Sequence, residues 1–271
     1  MKNSVTRLVL ISLFVLAAIV VLFHPRAQVF GKTPGPSRSP VVVELFTSEG
    51  CSSCPPADAL LAQLAVQSPA ENVQVIALEE HVDYWDELGW VDPFSSREWT
   101  SRQYAYAGTL GNRNPYTPQM VVQGQAEFVG SHAQLARQKI LEAASNTSAP
   151  VTLEQAQAEG KGGINLKVTV GKWTGTAKSG AVEVWLAITE TGLHSAVTGG
   201  ENAGHELRHA AIVRTMHKIG EAKGDGEPSF SANANAPLHS DWKRENLRAV
   251  VFVQEKKSRR ILGAAEIRIV P

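Results

Sequence analysis

The hydrophobic positions along the chain follow two different spacings. In the first half, Val41–Thr47 and Val73–Leu78 are short runs of apolar and β-branched residues, which are typical of buried strands. Between them, Leu60, Leu61 and Leu64 recur at the spacing of one helix face. This order of strand, helix and strand predicts a parallel strand pair joined by a right-handed crossover.

Two further segments complete the first half. An aromatic, acidic segment spans His81–Arg113, and we expect it to be helical over Ser95–Ala107. Gln119–Val122 and Ala126–Val129 then flank a Gln-Gly-Gln turn, which is the pattern of a hairpin. Ser131 is a suitable N-cap for a last amphipathic helix. The first half is therefore predicted to be an α/β domain.

Beyond a polar break at 146–150, apolar and polar residues alternate, as they do in half-buried strands. Such stretches, separated by glycine-rich turns, are Ile164–Val170, Val182–Ile188, Val250–Val253 and Ile261–Ile269. Several strands at short intervals with little helix predict an antiparallel β-sandwich. We therefore divide the chain into an α/β domain at residues 41–147 and a β-sandwich domain at residues 148–271.

The N-terminus has the pattern of a targeting segment. Lys2 and Arg7 precede Leu8–Phe23, whose residues are apolar with one exception. As a helix this run would be roughly 24 Å long, somewhat short for a bilayer core of about 30 Å. Residues 1–30 are thus predicted to be a signal peptide or a membrane anchor, and the proline-rich residues 31–40 a linker. Either alternative places the rest of the chain outside the cytoplasm, periplasmic or secreted, with membrane contact only through an uncleaved segment.

Composition narrows the possible functions. The 26 basic and 26 acidic residues give a formal net charge of zero, so we expect no nucleic-acid partner. The chain contains only two cysteines, which excludes a scaffold of several disulfides and a four-cysteine zinc site. The two thiols, Cys51 and Cys54, must therefore act as a pair.

This CxxC pair lies between the first predicted strand and the first predicted helix. The dipole and the free N–H groups at a helix N-terminus stabilise a thiolate. We predict that Cys51 is an exposed nucleophile and that Cys54 resolves the mixed disulfide. An inert bridge is the alternative, but so small a loop would add little stability. Thr117 and Pro118 precede a strand, and a cis bond there would expose the backbone of Thr117 to an extended partner peptide.

These residues carry a family resemblance. The order of strand, CxxC, helix, Thr-Pro and strand hairpin is similar to thioredoxin over about Val41–Ser145. More closely, the segments EGCSSCPPAD, HVDYWD, YTPQMVVQG and ENAGHELRHAAIVR resemble a secreted thioredoxin-like family catalogued as domain of unknown function 1223. The resemblance implies an α/β thioredoxin-like domain followed by the antiparallel β-sandwich, and it supplies no established activity.

At matching positions the thioredoxin resemblance implies roles for individual residues. Cys51 and Cys54 match the active pair, and Pro118 matches the cis-proline before the substrate-facing strand. Glu44 lies near the buried acid, whose raised pKa would let it take the proton of Cys54. The sequence also departs from thioredoxin, because Gly50 replaces a tryptophan, two prolines follow the CxxC, and the aromatic, acidic segment is inserted.

Two histidine motifs are typical of metal chemistry. His205–His209 spells the HExxH signature of zinc proteases, which requires a helix. This region is predicted to be β, where residues four apart are about 13 Å from each other and cannot share one metal ion. His81–Asp86 also combines a histidine with carboxylates, and we interpret it as a loop whose aromatic residues pack beside the cysteines. We therefore expect no metal ligand and no cofactor.

The sequence thus predicts an extracytoplasmic thiol–disulfide oxidoreductase whose CxxC pair exchanges with protein thiols or disulfides and which is served by a redox partner protein. The alternative is a non-catalytic binding module, either a Cu(I) chaperone that uses the two thiolates or a protein-docking scaffold. The substitution Cys51→Ser distinguishes them, because it abolishes exchange but leaves a docking scaffold able to bind its partner.

Overall fold

The computed structural model describes residues 38–112, 114–146, 149–156, 163–173, 181–223 and 229–270. The predicted signal peptide or anchor and residues 31–37 of the predicted linker lie outside the described residues. In chain order the elements are β1 (Ser39–Thr47), α1 (Pro55–Val66), β2 (Val73–His81), α2 (Arg97–Leu110), β3 (Gln119–Val122), β4 (Ala126–Val129), α3 (Ala133–Ala144), β5 (Val151–Ala156), β6 (Gly163–Val170), β7 (Val182–Glu190), β8 (Leu193–Ala196), β9 (Glu206–His209), β10 (Ile212–Ala222), β11 (Phe230–Pro237), β12 (Leu247–Glu255) and β13 (Ile261–Arg268). Short 3-10 turns occupy Asp83–Leu88 and Arg244–Asn246. Within the described part of the chain, no helix is both long and apolar enough to cross a membrane.

Strands from both halves of the chain form one mixed sheet of eight strands in the order β13-β12-β7-β10-β2-β1-β3-β4. β1 and β2 are parallel, and β10 extends the sheet by pairing in parallel with β2 where Ile212 lies opposite Glu79. The prediction of an α/β thioredoxin-like domain followed by an antiparallel β-sandwich domain is therefore wrong. The alternation of apolar residues identifies a strand but does not say which other strand it pairs with. Here β10, from the second half of the chain, pairs with β2 of the first half.

The central strand β7 is buried on both faces. On one face Val184 and Leu186 pack with Leu166 of β6, in a core that the three-stranded sheet β11-β6-β5 covers. On the other face Ala187 packs with Phe252 of β12 and with a tryptophan of α2. The strand therefore belongs to the middle of a layered structure and not to the half-buried sheet of a separate sandwich.

Alternate residues of β1 face opposite layers of the protein. Val43 and Leu45 pack with Leu61 of α1, and α3 completes this layer. Phe46 packs instead with Tyr106 of α2. Since side chains alternate between the faces of a strand, the two faces of β1 carry separate sets of buried polar groups as well.

The carboxyl ends of β1 and β2 meet at one edge of the sheet. Their register places Thr47 beside His81. The turn with Cys51 follows β1 directly, and β10 starts at the same edge because Ile212 pairs with Glu79. This edge therefore collects the CxxC turn, the end of β2 and the segment before β10, which lie far apart in the sequence.

Candidate functional site

Cys51 and Cys54 are joined by a disulfide in the turn that leads from β1 to α1. The turn is closed by backbone hydrogen bonds from Cys51 N to Ser48 O (3.2 Å) and from Cys54 N to Cys51 O (3.1 Å). Both cysteines are fully buried, including Cys51, which we expected to be exposed. Only the two intervening residues, Ser52 and Ser53, are exposed, so a reaction at either sulfur requires local opening of the structure.

The disulfide is covered in part by a loop between β8 and β9. We call it the cap loop and define it as Gly199–Gly204. Glu201 of this loop accepts hydrogen bonds from Ser52, with 2.9 Å to the backbone N and 2.6 Å to Oγ. These bonds hold the pKa of the Glu201 carboxyl below its usual value. The carboxylate of Glu201 therefore attaches the cap loop to Ser52, the residue that follows Cys51.

Asn202 attaches the cap loop to the backbone on both sides of Gly50. Its Nδ2 donates to Glu49 O at 2.8 Å and to Cys51 O at 3.0 Å. Gly200 adopts a left-handed φ of 66°, and a Cβ there would lie 3.8 Å from Gly50 Cα. The cap loop thus contacts the CxxC turn closely and supplies buried hydrogen bonds to it.

Asp58 is a buried acid on the helix that starts at the disulfide. Its backbone N donates to Cys54 O at 3.1 Å, and the four-residue spacing places both side chains on one helix face. Its Oδ1 accepts a hydrogen bond of 2.7 Å from Thr47 Oγ1. Burial and the nearby negative charge of Glu79 raise the pKa of Asp58 to about 7. Asp58 can therefore gain or lose a proton near neutral pH next to the cysteine pair.

Glu44, expected from the resemblance to take the proton of Cys54, lies on the other face of the sheet. Its Oε1 accepts from Arg102 Nε at 2.6 Å, and its Oε2 accepts from Tyr106 OH at 2.5 Å. Both partners belong to α2, whereas Cys54 precedes α1 on the opposite face. In the described structure Glu44 is part of a buried ion pair, and Asp58 is the acid beside the cysteines.

A second polar feature at this edge is a chain of alternating carboxylates and imidazoles, which we call the histidine–carboxylate chain. His81 Nδ1 lies 2.7 Å from Asp92 Oδ2, and His81 Nε2 lies 3.1 Å from Glu79 Oε1. His209 Nδ1 lies 2.8 Å from the same Glu79 oxygen, and His209 Nε2 lies 3.0 Å from Glu49 Oε1. All five side chains are buried. Each ring nitrogen therefore faces a carboxylate.

The carboxylates keep both imidazoles positively charged. Burial alone lowers the pKa of His209, but hydrogen bonds to Glu49 and Glu79 outweigh it and raise the pKa to about 9. Burial likewise opposes the charge of His81, and the carboxylate of Asp92 holds its pKa well above the usual value. In return, the charge of His81 overcomes burial and holds the pKa of Asp92 below its usual value.

The same edge offers ligand atoms for a metal ion. Single ligand atoms of Glu79, His81 and His209 all lie within 4.8 Å of one another. The HExxH histidines do not form such a group, because His205 is exposed and Glu206 begins the strand β9. Of the two HExxH histidines only His209, at the end of β9, belongs to this group, and its partner is His81 at the end of β2.

Thr117 and Pro118, predicted to bind a partner peptide, lie at the start of β3. Their peptide bond is cis. Thr117 Oγ1 accepts a hydrogen bond of 2.8 Å from Trp85 Nε1, and Pro118 O accepts one of 2.9 Å from Gly130 N. A Cβ on Gly130 would lie 2.7 Å from Leu45 Cδ1, 3.0 Å from Ala57 Cβ of α1 and 3.3 Å from Pro118 Cβ. Gly130 therefore lies in space between Pro118 and the first turn of α1.

Several residues of the site were not identified from the sequence. Asp58 was visible as a carboxylate four positions after Cys54, but its burial depends on Thr47 and the sheet. Asp92 lies in the aromatic, acidic segment at residues 81–113, where no role was assigned to it, and it is buried against His81. Asn202 belongs to the segment ENAGHELRHAAIVR. The sequence does not show that this segment lies over the CxxC turn, because its position there depends on the fold.

Comparisons with known proteins agree on the fold. A family model described as "Protein of unknown function (DUF1223)" matches residues 42–254. The crystal structure of an Agrobacterium tumefaciens protein from a structural genomics programme is 25% identical, with a TM-score of 0.65 over 86% of this chain and 95% of that chain. HBP35 of Porphyromonas gingivalis is 16% identical, with a TM-score of 0.64 over 87% of this chain and 76% of that chain, which is a similarity of fold. No protein with a curated description matches the chain significantly.

Proposed function

The chain belongs to the DUF1223 family, and we propose that it is an extracytoplasmic thiol–disulfide oxidoreductase that works through Cys51 and Cys54. The observation that carries the proposal is the disulfide between two cysteines three positions apart, immediately before a helix. A bridge across so short a loop restricts the unfolded chain very little, so it contributes little to stability. A reactive role accounts for the pair better than a structural one.

The position of the pair favours nucleophilic chemistry. Cys54 is the N-cap of α1, where the helix dipole stabilises a thiolate. Cys51 Sγ lies 3.4 Å from Oγ of the exposed Ser53, so it is the sulfur in contact with a solvent-facing side chain. We therefore assign Cys51 as the sulfur that a client thiolate attacks and Cys54 as the leaving sulfur.

The exchange proceeds in two balanced steps. A client thiolate attacks Cys51 Sγ, the Cys51–Cys54 bond breaks, and Cys54 leaves as a thiolate that takes a proton from Asp58. A second client thiolate then attacks the client sulfur of the mixed disulfide and releases Cys51 as a thiolate. The client loses two electrons and the pair gains them, and a disulfide-bearing redox partner protein reoxidises the pair. The same steps in reverse reduce a client disulfide.

Asp58 suits the proton transfer because its pKa of about 7 lies close to neutral pH. Near neutral pH both forms of Asp58 are populated, so the protonated form can give its proton to Cys54 and the ionised form can take it back when the thiol must become a nucleophile. Thr117 and Pro118 border the same edge and would contact the backbone of an extended client. The location outside the cytoplasm rests on the leader-like N-terminal sequence and on the persistence of disulfides in that compartment.

The test is a redox titration of residues 38–271 in glutathione buffers, with free thiols trapped by an alkylating reagent. We expect a reduction potential between about −270 and −120 mV, the range of exchange catalysts. A potential below about −300 mV, with Cys51 unreactive toward the trap, identifies a structural bridge and contradicts the proposal.

Two variants test the assignment of the two sulfurs. Cys54→Ser lacks the resolving thiol and is expected to accumulate a mixed disulfide between Cys51 and a disulfide peptide. The matched variant Cys51→Ser is expected to trap little of it, and equal trapping contradicts the assignment. If the reduced wild-type protein retains one Cu(I) after dialysis and shows no disulfide turnover, the function is that of a Cu(I) chaperone instead.

A further inference from the structure

Three ligand atoms of the histidine–carboxylate chain converge at the end of β2, within 4.8 Å of one another. His81 Nε2 and His209 Nδ1 lie 3.1 Å and 2.8 Å from Glu79 Oε1. Zinc bonds of about 2.0–2.1 Å at tetrahedral angles place neighbouring ligand atoms about 3.3 Å apart. The two imidazole nitrogens lie within 4.8 Å of each other, so they would move together by up to about 1.5 Å as one ion replaces the protons that they share with Glu79. We propose that Glu79, His81 and His209 bind one Zn²⁺ ion.

The carboxylates behind the two imidazoles support this assignment. His81 uses its other nitrogen, Nδ1, for Asp92, and His209 uses its Nε2 for Glu49. Histidines that bind zinc usually donate their second ring N–H to a carboxylate or a carbonyl, which orients the ring and increases the basicity of the ligating nitrogen. Here both histidines have such a partner on the side away from Glu79.

The ligands are held in place by the sheet. Glu79 and His81 are two residues apart on β2 and therefore project from the same face of the strand. Glu79 Oε2 accepts a hydrogen bond of 2.8 Å from Ala210 N, which links the carboxylate to the residue after His209. The ion would thus join β2 to the start of β10, the junction at which the two halves of the chain meet.

One aromatic side chain contacts both histidines and also lines a surface cleft. The ring of Phe94 contacts the imidazoles of His81 and His209 edge-on, with centroid distances of 5.6 Å and 5.4 Å. Phe94 also lines a surface cleft of about 320 Å³, together with Trp242 and Arg214. Rotation of Phe94 toward the cleft would open a path for the ion.

The first experiment uses the wild-type protein with its disulfide intact, so that the cysteines offer no thiolate. The protein is stripped with a chelator, incubated with Zn²⁺ alone, dialysed, and its zinc content is measured. We expect one Zn²⁺ per chain, and Co²⁺ in its place is expected to give the visible absorption of a four-coordinate site. The absence of retained zinc in the folded wild-type protein overturns the proposal.

Matched variants locate the ion. His209→Asn removes a proposed ligand, whereas His205→Asn changes the exposed histidine of the same HExxH segment. We expect His209→Asn to lose the zinc and His205→Asn to retain it, and equal loss in both variants overturns the assignment. Should His209→Asn fail to fold, Asp92→Asn decides, because loss of such a carboxylate weakens zinc binding by about 10- to 100-fold. An unchanged affinity in Asp92→Asn contradicts the proposal.

Discussion

Truncation of Asn202 is expected to expose the disulfide to reductants. Its side chain makes two buried hydrogen bonds, at 2.8 Å and 3.0 Å, to the carbonyls of Glu49 and Cys51. Each such bond contributes about 1 kcal/mol net, so Asn202→Ala weakens the closed state of the cap loop by about 2 kcal/mol. Because each 1.36 kcal/mol is a factor of ten, the open population increases roughly 30-fold.

The rate of disulfide reduction measures this population. Both sulfurs are buried, so a small thiol reductant reacts only with the open form, and the rate follows its population when closing is fast. We expect reduction by dithiothreitol, followed by alkylation and mass measurement, to be roughly 30-fold faster in Asn202→Ala. The control is Asn235→Ala, an asparagine of β11 whose Nδ2 donates to Asn165 at 2.9 Å away from the site. An unchanged rate in folded Asn202→Ala would refute the assignment of the cap loop as the barrier.

Two further predictions concern the titrating groups of the edge. In the zinc-free protein the pKa of His209 rises from about 6.5 unfolded to about 9 folded, so its contribution to stability is complete below pH 6.5 and is lost as the pH rises through 9. The free energy of unfolding, measured with urea and a chelator, should fall by about 3 kcal/mol over this interval, and His209→Asn should flatten the profile. The pKa of Asp58 is also raised, mainly because burial disfavours its negative charge. The unfolded protein releases this proton near pH 4 and the folded protein only near pH 7, so the folded state loses stability between about pH 4 and pH 7. Asp58→Asn should therefore stabilise the protein at pH 8 but not at pH 4, and it should change the pH dependence of Cys54 alkylation, whereas Glu44→Gln on the other face should leave that dependence unaltered.

Local structure was predictable from the sequence to a large extent. β3 and β4 have the bounds that the apolar runs and the Gln-Gly-Gln turn predict, whereas β1 begins two residues earlier and β2 continues three residues further than predicted. The aromatic segment forms a helix close to the expected bounds, because Ser96 caps α2 by accepting from Glu98 N and Gly111 ends it with a left-handed φ of 80°. Such signals are encoded within a few residues of the element that they determine.

The pairing of distant strands was not predictable in the same way. Nothing near Ile212 indicates that its strand joins β2, and the alternating pattern of β7 suits a half-buried sheet as well as a central strand whose second face is lined by Ala187. The position of Glu44 has a similar explanation. In VVVELFT the two polar residues, Glu44 and Thr47, fall on opposite faces of the strand and apolar residues occupy both faces. The sequence therefore does not say which face is packed against α1 and which against α2, and tertiary packing places Glu44 toward α2.

Two features of the site meet at Glu49. Its carboxylate ends the histidine–carboxylate chain at His209, its backbone O binds Asn202 of the cap loop, and its backbone N donates to Asp92 at 2.8 Å. Buried charges are costly even when paired, and well-packed apolar residues of similar volume are often as stable. Five charged side chains beside a disulfide are therefore poorly explained by stability alone. A metal ion that tightens this chain would also fix the backbone of Glu49, and with it the carbonyl that holds the cap loop closed, so zinc is expected to slow the reduction of the disulfide.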